Sequence, residues 1–378
     1  MEERLRATDL SLGEKILSIN WLLVALLCVI GGIGYAVLYS AAGGSPEPWA
    51  FRHAVRLAAG ICVMLVLAMI DVRFWFRIAY PVFMVGVALL LAVDLSGIVA
   101  KGAQRWIDLG PIQLQPSEVM KIALILGLAR WFHAGWLDDV KRPLFLVPPL
   151  LMVAVPVALV MLQPDLGTAI TLISVGGTLF FAAGVRWWKF ALVIAIGLAA
   201  LPVGWEMMHD YQRQRVLTFL NPEEDPLGSG YHIIQSKIAL GSAGLWGKGY
   251  LHGSQAQLNY LPEKHTDFAF TTLAEETGFV GATFTLFLFF AVVVLGIVAA
   301  TRAHSQFARL VIIGLSMNFA VYVVINTSMV MGLIPVVGIP LPMISYGGTA
   351  MLTVLLGFGI LLSADVHRDT PIQRFPKS

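Results

Sequence analysis

Charged residues and cysteines are both scarce in this chain. Lys, Arg, Asp and Glu make up only 13% of the 378 residues, about half the fraction found in a soluble globular domain. The formal net charge is +2 and no basic tract occurs, so we expect no nucleic-acid partner. The two cysteines, Cys28 and Cys62, both lie within apolar runs. We therefore infer neither a disulfide framework nor a metal-thiolate site.

Long hydrophobic runs recur along nearly the whole chain. Hydrophobic residues make up 58% of the sequence, and a run of about 20 apolar residues is enough for a helix to cross a bilayer. The short alternating segments of a transmembrane β-barrel are missing. We therefore predict an all-α, polytopic membrane protein with residues 1–378 in a single transmembrane domain. Ten spans are expected near residues 16–39, 50–70, 75–93, 117–132, 144–162, 165–183, 187–207, 268–300, 307–332 and 344–364.

Basic residues between the spans predict the orientation, because cytoplasmic loops carry an excess of Lys and Arg. The span ends on one side carry mainly Arg52, Lys101 and Arg105. Those on the other side carry Arg4, Arg6, Lys15, Arg73, Arg77, Arg130, Lys141, Arg142, Arg186, Lys189, Arg302, Arg309, Arg368, Arg374 and Lys377. We therefore place both termini in the cytoplasm and the long polar loop 209–267 on the outer side of the membrane. The first span lacks a small-residue cleavage site, so we interpret it as a membrane helix rather than a removed signal peptide.

Four polar motifs lie at predicted outer ends of spans. They comprise residues 115–121, 163–167, 265–267 and 340–348. Composition does not require motifs from distant parts of the chain to share one membrane face. Ionisable residues at a membrane boundary are costly and commonly mark function. Their convergence therefore indicates one extracytoplasmic site.

The first motif combines a carboxylate with an ammonium group. Pro116 suits the first position of a helix, and Glu118 then lies in the first turn, where the helix dipole favours a negative charge. Lys121 lies three residues further along and shares a face with Glu118, so the two can pair. Helix capping by Glu118 and snorkelling of Lys121 are the structural alternatives. The functional alternative is neutralisation of a lipid phosphate by Lys121.

Two other motifs are shaped by proline, glycine and capping residues. Asp165 directly precedes an apolar helix, so an N-cap is its favoured role. The prolines of residues 335–348 forbid a continuous helix, while Gly347 and Gly348 allow a ligand or a neighbouring helix to approach closely. Ser345 is either the N-cap of a structural loop or part of a site wall, because non-helical backbone at membrane depth must be buried or line a cavity.

Asp267 is the strongest single candidate for chemistry. Phe268 and Phe270 flank it with apolar surface, and burial would raise the pKa of this carboxyl from about 3.9 and make it a better proton acceptor. An N-cap for the eighth span is the alternative, and the residues alone leave both open. We expect His265 to assist or to lie at the surface rather than bind a metal, because no second His or Cys is suitably spaced.

Further polar residues surround Asp267. Glu263 and Lys264 are candidates for solvated loop charges. Glu275 and Glu276 lie about two turns into the span, where carboxylates are costly, so at least one is expected to face protein or water. Residues 231–240 predict a short amphipathic helix that either lies in the outer interface or packs on the spans.

Together with two further motifs, these polar motifs make a set of six along the chain. They are residues 105–110 (RWIDLG), 115–118 (QPSE), 163–168 (QPDLGT), 230–237 (GYHIIQSK), 261–268 (LPEKHTDF) and 340–348 (PLPMISYGG). In this order they closely resemble the SEDS family of bacterial cell-wall polymerases (shape, elongation, division and sporulation) over almost the whole chain. They are more similar to the elongation members than to the division members. Ala269 replaces a bulkier aliphatic residue, a departure that does not touch Asp267.

The resemblance implies a peptidoglycan glycosyltransferase that polymerises lipid II outside the inner membrane during cell elongation. It implies an essential acid at Asp267 and supporting roles for Glu118 and Lys121. It also implies a class B penicillin-binding protein as the partner that crosslinks the new strand, together with other proteins of the elongation complex.

The expected reaction fits these residue types. The donor sugar leaves from undecaprenyl diphosphate, an anion that needs charge neutralisation rather than a protonating acid. One base is then sufficient, and Asp267 would deprotonate the acceptor GlcNAc 4-hydroxyl as it attacks the anomeric carbon. Cationic side chains would hold the diphosphate directly or through a divalent cation, Mg²⁺ or Mn²⁺, and no other cofactor is expected. The candidate cations are Lys121, which we favour, Arg105, Arg213, Arg215 and Lys264.

Two other functions compete with polymerisation. A lipid II flippase or other secondary transporter would need polar residues through the midplane and often shows inverted repeats. Here the polar motifs cluster at one face, and no clear repeat relates the two halves of the chain. A non-catalytic scaffold that recruits synthases is disfavoured by the outward acid–base cluster. Polymerase activity is therefore the favoured prediction.

Overall fold

The protein is mainly helical in the computed structural model. The structure describes residues 10–96, 98–100, 103–108, 113–135, 138–207, 213, 217–221, 229–258, 260–261 and 263–373. Its helices are α1 Leu12–Ser18, α2 Trp21–Ala41, α3 Ala50–Ala68, α4 Val72–Ser96, α5 Pro116–Ala134, α6 Pro143–Leu162, α7 Leu166–Ala182, α8 Trp187–Met207, α9 Ser229–Ser242, α10 Ser254–Gln257, α11 Ala269–Arg302, α12 Gln306–Val330 and α13 Gly348–Val366.

The predicted spans correspond to α2–α8 and α11–α13, which confirms the all-α polytopic class. Seven of these helices are long and apolar enough, by length and composition, to cross a membrane. Helix α7 and the first part of α8 are apolar but shorter. Helix α5 carries Glu118, Lys121 and Arg130 within its 19 residues, so its sequence is less apolar than that of a lipid-facing span.

The first predicted span is divided into two helices. Ser11 and Glu14 form a capping box at the start of α1. Asn20 then begins a new helix, because its side chain accepts a hydrogen bond from the Leu23 N–H at 3.2 Å. The prediction of one helix over 16–39 was therefore wrong at its amino end, where capping side chains interrupt the apolar run.

A small sheet that was not predicted lies between α4 and α5. Strands β1 Ile98–Ala100, β2 Ala103–Asp108 and β3 Gln113–Leu114 pair in the order β1-β2-β3, and both pairings are antiparallel. Strands β1 and β3 are short, and β2 has the sequence Ala-Gln-Arg-Trp-Ile-Asp, in which apolar and polar residues do not alternate. The sheet brings β2 to the outer ends of the helices.

Helices α5, α12 and α13 form the centre of the bundle. Helix α12 contacts α5, α7, α11 and α13, while α13 also packs on α3. Their inward-facing residues are mostly apolar and fully buried. By contrast, residues 191–200 of α8 are exposed on every face. The buried polar residues of the central helices therefore stand out as exceptions to an apolar core.

Helix α11 is interrupted at Gly278, which has φ 70° and ψ −166°. Glycine tolerates this backbone conformation because it has no Cβ. Residues before the interruption pair with the outer loop: Lys248 N donates to Glu275 O at 3.0 Å, and Gly249 N donates to Glu276 O at 3.1 Å. The long eighth span is thus a short outer segment followed by a membrane helix.

Helix α9 contains the predicted helix 231–240. The Ser236 hydroxyl donates to the Val330 carbonyl at 2.8 Å and lies 2.9 Å from the Thr271 hydroxyl. Because these partners belong to α12 and α11, α9 packs on the spans. Of the two predicted placements of this helix, the outer interface and packing on the spans, the contact supports the second.

Candidate functional site at the outer end of the bundle

The Glu118–Lys121 pair is buried near the start of α5. Lys121 Nζ donates to Glu118 Oε1 at 2.7 Å and to the hydroxyl of Tyr322 on α12. The Tyr322 hydroxyl donates to Glu118 Oε2 at 2.5 Å. The predicted pair is therefore confirmed. Lys121 is only 2% exposed, so snorkelling was the wrong alternative for this residue. The three side chains form a closed triangle that compensates both buried charges.

Asp165 joins three segments next to this triangle. Its carboxylate accepts hydrogen bonds from the Thr168 N–H at 3.2 Å and the Thr168 hydroxyl at 2.8 Å, which confirms the predicted N-cap. Arg105 lies 3.9 Å from Asp165 and donates to both carbonyls of the 163–164 turn. Gln115 Nε2 lies 3.5 Å from the same carboxylate. The sheet, the α6–α7 turn and the start of α5 therefore meet here.

Asp267 lies just before α11 and is partly buried. The N-cap of α11 is Phe268, which makes no side-chain cap hydrogen bond, so the N-cap alternative for Asp267 was wrong. The Asp267 carbonyl accepts a hydrogen bond from Asn326 Nδ2 at 2.9 Å. A Cβ atom at Gly338 would lie 3.7 Å from Asp267 Oδ2. The carboxylate thus lies beside the 335–347 segment, and Asp267 as a residue is half-buried.

The 335–347 segment is non-helical, as its prolines predict. The Tyr346 N–H donates to the His265 carbonyl at 2.7 Å, which joins this segment to the residues before Asp267. Ser345 Oγ accepts a hydrogen bond at 2.8 Å from the N–H four residues earlier. Helix α13 begins after Gly347, its N-cap. Ser345 therefore closes a turn within the segment, and the alternative that it is an N-cap was wrong.

Four side chains that were not predicted to interact contact one another in sequence at this end. The Trp49 and His265 rings are nearly parallel, with centroids 4.3 Å apart, and the His265 and Tyr346 centroids are 6.2 Å apart. Arg56 Cζ lies 5.0 Å from the Tyr346 ring centre. A Cβ atom at Gly348 would lie only 2.9 Å from Arg56 Cζ, so glycine allows the guanidinium group to contact the start of α13.

The remaining predicted cations have other contacts. Lys264 is buried and donates to the Ala256 carbonyl at 2.7 Å. Burial lowers the pKa of Lys264, and its interpretation as a solvated loop charge was wrong. Arg213 donates to the carbonyls of Trp205 and Glu206, at 2.9 and 2.5 Å, near the end of α8. Arg215 lies outside the described residues. Of the predicted cations, the structure therefore brings Lys121 and Arg105 together at the site.

Glu275 and Glu276 both face protein, which confirms the prediction for this pair. Glu275 accepts hydrogen bonds from Lys248 Nζ at 2.7 Å and from the Ser254 hydroxyl at 3.1 Å. Glu276 accepts one from the Ser40 hydroxyl. Both carboxylates therefore fasten the outer loop and α2 to the first turns of α11.

The structure adds Tyr322, Asn326, Trp49 and Arg56 to the predicted site residues. Tyr322 and Asn326 are polar, lie four residues apart and belong to one apolar span. That spacing places them on one helix face, and it was a usable signal for a shared role. Trp49 and Arg56 carried no such signal, because their partners are more than 200 residues away in sequence.

Comparisons with known proteins agree with this architecture. A family model for the FtsW, RodA and SpoVE proteins, described as "Cell cycle protein", matches residues 15–370. Peptidoglycan glycosyltransferase MrdB of Escherichia coli K12 is 44% identical over 336 residues, which cover 88% of this chain and 89% of the relative. Stage V sporulation protein E of Bacillus subtilis is 37% identical over 358 residues, which cover 92% and 97%.

Two solved structures are also similar to this chain over most of its length. A chain from a study of polymerization and crosslinking by a peptidoglycan synthase complex has a TM-score of 0.82 and 33% identity, covering 93% of this chain and 99% of that one. Thermus thermophilus RodA, a rod shape determining protein, has a TM-score of 0.71 and 28% identity, covering 93% and 98%. The chain therefore belongs to the FtsW/RodA/SpoVE family, which is the SEDS family that its motifs resemble. It is a multi-pass protein of the bacterial inner membrane.

Proposed function

We propose that this protein is a peptidoglycan glycosyltransferase that polymerises lipid II into β-1,4-linked glycan strands during cell elongation. One observation supports the proposal most strongly. Asp267, a half-buried residue, lies at the same end of the bundle as the buried Glu118–Lys121 pair and the non-helical 335–347 segment. This end provides both a proton acceptor and positive charge, which are the two requirements of the reaction.

Asp267 acts as the general base in the proposed mechanism. Its carboxylate takes the proton of the GlcNAc 4-hydroxyl while the hydroxyl oxygen attacks the anomeric carbon of the donor sugar. The bond between that carbon and the diphosphate oxygen breaks at the same time, and inversion produces the β-1,4 linkage. Asp267 is not fully buried, which suits this role, because the base must reach a substrate hydroxyl.

The departing diphosphate requires positive charge on the donor side. Lys121 and Arg105 are each partly neutralised, by Glu118 and Asp165 respectively. Arg56 has no ion pair or hydrogen bond within the part of the chain that the structure describes, and its guanidinium group lies against the start of α13. We therefore add Arg56 to Lys121 as a candidate ligand for the diphosphate, since charge-assisted hydrogen bonds to phosphate are strong.

A divalent cation is the second way to neutralise the diphosphate. Among the residues that the structure describes, no group of three or more His, Cys, Asp or Glu side chains is placed to hold a metal ion. Mg²⁺ is commonly held by one or two carboxylates together with substrate phosphates. Mg²⁺ or Mn²⁺ would therefore bind together with the diphosphate and at most one or two carboxylates of the protein. Polymerisation assays in EDTA, with and without added metal, distinguish the two modes.

The proposed partner is a class B penicillin-binding protein that crosslinks the new strand, within a larger elongation complex. Support comes from the similarity to a chain studied as part of a peptidoglycan synthase complex that coordinates polymerization and crosslinking. In this arrangement the glycan product leaves the outer end of the bundle and meets the transpeptidase on the same side of the membrane.

The function is tested with the full-length protein and its partner in lipid vesicles supplied with labelled lipid II. We expect muramidase-sensitive glycan polymer from the wild type and none from Asp267→Ala. Asp369→Ala, which alters an exposed pair with His304, is the control and should polymerise normally. Movement of lipid II across the vesicle membrane without polymer formation would instead favour the transporter alternative.

A further inference from the structure

Two buried polar side chains lie one turn apart on α12, and each contacts a different half of the site. Tyr322 and Asn326 are four residues apart, so they project from the same face of the helix. Tyr322 is 1% exposed, and Asn326 is fully buried. Tyr322 contacts the Glu118–Lys121 pair, whereas Asn326 contacts Asp267. A single helix therefore connects the two halves.

The hydrogen bonds of Tyr322 have only one arrangement. An ammonium group cannot accept a hydrogen bond, so Lys121 donates to the Tyr322 hydroxyl. The single proton of that hydroxyl is then donated to Glu118 Oε2. Lys121 Nζ also lies 4.3 Å from the centre of the Tyr322 ring. Without the hydroxyl, the position of the Lys121 ammonium would no longer be fixed to α12 by a hydrogen bond.

The side-chain amide of Asn326 is equally restricted. Nδ2 donates to the Asp267 carbonyl at 2.9 Å and to the Ile339 carbonyl at 2.7 Å. Because both partners are acceptors, the nitrogen and oxygen of this amide cannot be exchanged. Oδ1 is buried and has no hydrogen-bond partner among the residues that the structure describes. An unpaired buried acceptor offsets much of the stability that such bonds contribute, so stability alone explains this residue poorly.

We propose that Tyr322 and Asn326 are positioning residues, which fix the Lys121 ammonium and the Asp267 carboxylate in position relative to each other. This inference rests on the glycosyltransferase function proposed above and identifies how its site is assembled. Asn326 holds Asp267 through the main chain and joins it to the 335–347 segment, whose backbone lacks the regular hydrogen bonds of a helix. A displacement of about 1 Å at a reacting group can lower a rate by about 100-fold.

The test compares two buried asparagines of α12. Asn318 lies about two turns from Asn326, is also buried, and has an Oδ1 atom with no partner among the described residues. It lines a separate small cavity with Phe319 and Thr353. Substitution by leucine makes the same chemical change at both positions and keeps the number and branching of the side-chain heavy atoms.

The full-length variants are assayed with the partner and labelled lipid II, and folding is checked by thermal unfolding. We expect Asn326→Leu to lower kcat by about 10- to 100-fold and to change KM by less than about threefold. We expect Asn318→Leu to change kcat by less than about threefold. Equal losses of kcat in the two variants, or a loss expressed only in KM, would overturn the proposal. If Asn326→Leu does not fold, Asn326→Ala and Asn318→Ala are compared with the same criteria.

Tyr322 is tested by removal of its hydroxyl alone. Tyr322→Phe is expected to lower kcat by about tenfold without lowering the melting temperature by more than a few degrees. Tyr80→Phe is the matched control, because Arg130 lies 4.4 Å from the centre of the Tyr80 ring and makes a similar cation–ring contact away from the site. A wild-type kcat for Tyr322→Phe would remove this residue from the proposal.

An Asp267→Ala sample assayed in parallel separates the two proposals. If Asp267→Ala forms glycan at the wild-type rate, the catalytic assignment fails, and the positioning proposal fails with it. If Asp267→Ala is inactive while Asn326→Leu keeps the wild-type kcat, only the positioning proposal fails.

Discussion

Two lysine–carboxylate pairs at opposite ends of the bundle have nearly the same local geometry. Lys121 Nζ lies 2.7 Å from Glu118, and Lys141 Nζ lies 2.6 Å from Asp138; the residues of each pair are three positions apart. The surroundings differ greatly. The paired side chains are 2% and 6% exposed in the first case, but 54% and 82% exposed in the second. Burial, rather than spacing, separates a candidate site from a loop contact.

The difference shows what keeps a buried pair in place. Tyr322 forms hydrogen bonds with both Lys121 and Glu118. Each charged side chain of the buried pair therefore has two hydrogen-bond partners. The exposed pair lies beside the short turn Asp139–Lys141, where water and dissolved ions screen the charges. A buried pair contributes little net stability compared with apolar residues. Its presence at the outer end is therefore better explained by the reaction than by folding.

The largest effect is expected when one partner of the buried pair is removed. Lys121→Met leaves the Glu118 carboxylate buried without its ammonium, which should cost about 3–5 kcal/mol of stability and abolish measurable polymerisation. Lys141→Met should leave both properties unchanged. Thermal unfolding and the lipid II assay measure them. Equal destabilisation by the two substitutions would show that burial does not separate the pairs.

A double variant sharpens this result. Glu118→Gln combined with Lys121→Met removes both buried charges, so it should recover most of the stability lost by Lys121→Met alone. Activity should stay absent, because the ammonium is still missing. Recovery of polymerisation together with stability would show that Lys121 serves folding alone.

A second comparison concerns two arginines that each lie over a tyrosine ring. Arg56 lies 5.0 Å from the Tyr346 ring centre, and Arg130 lies 4.4 Å from the Tyr80 ring centre. Arg56→Ala should raise KM for lipid II by about tenfold, because a charge-assisted contact to the diphosphate is lost. Arg130→Ala should leave KM unchanged. Substrate titrations of both variants provide the measurement, and an unchanged KM for Arg56→Ala would remove this residue from the donor site.

Cysteine labelling tests whether the two ends face opposite sides of the membrane. Leu258 is 62% exposed in the outer loop, and Lys141 is exposed at the other end. With Cys28 and Cys62 replaced by alanine, an impermeant thiol reagent added to intact spheroplasts should label Leu258→Cys and not Lys141→Cys. The opposite labelling pattern would reverse the orientation predicted from Lys and Arg.

The smallest effect is expected at the exposed pair. The hydrogen bond from Lys141 lowers the pKa of Asp138. A carboxyl whose folded pKa is lowered stabilises the protein above its unfolded pKa, and this stabilisation is lost as pH falls through the lower folded value. Asp138→Asn should therefore change the melting temperature only slightly at pH 7, and this small difference should shrink as pH falls through the lowered folded pKa of Asp138. A shift as large as that of Lys121→Met would contradict the comparison.

Local patterns predicted the features that depend on neighbouring residues. The Glu118–Lys121 pair follows from helical spacing, and the N-cap role of Asp165 follows from its place before an apolar run. The prolines of residues 335–348 likewise predicted non-helical backbone. In each case the deciding interaction lies within a few residues of chain, so the physical cause could be identified in the sequence.

Such local patterns could not predict contacts between residues that are distant in the sequence. Arg56 reaches the start of α13, and Asn326 reaches Asp267, because the helices pack in a particular arrangement. Lys264 looked like a solvated charge, but the fold of the outer loop buries it against Ala256. Resemblance to a family had already favoured Asp267 as the acid. The structure added the groups that hold it.

The most direct test of the account is the behaviour of Asp267→Asn, which keeps the size of the side chain and removes the base. Full-length protein with its partner is loaded with labelled lipid II, and both bound lipid and glycan polymer are measured. We predict that Asp267→Asn binds lipid II like the wild type and forms polymer at least about 100-fold more slowly. Polymerisation by folded Asp267→Asn at the wild-type rate would contradict the account.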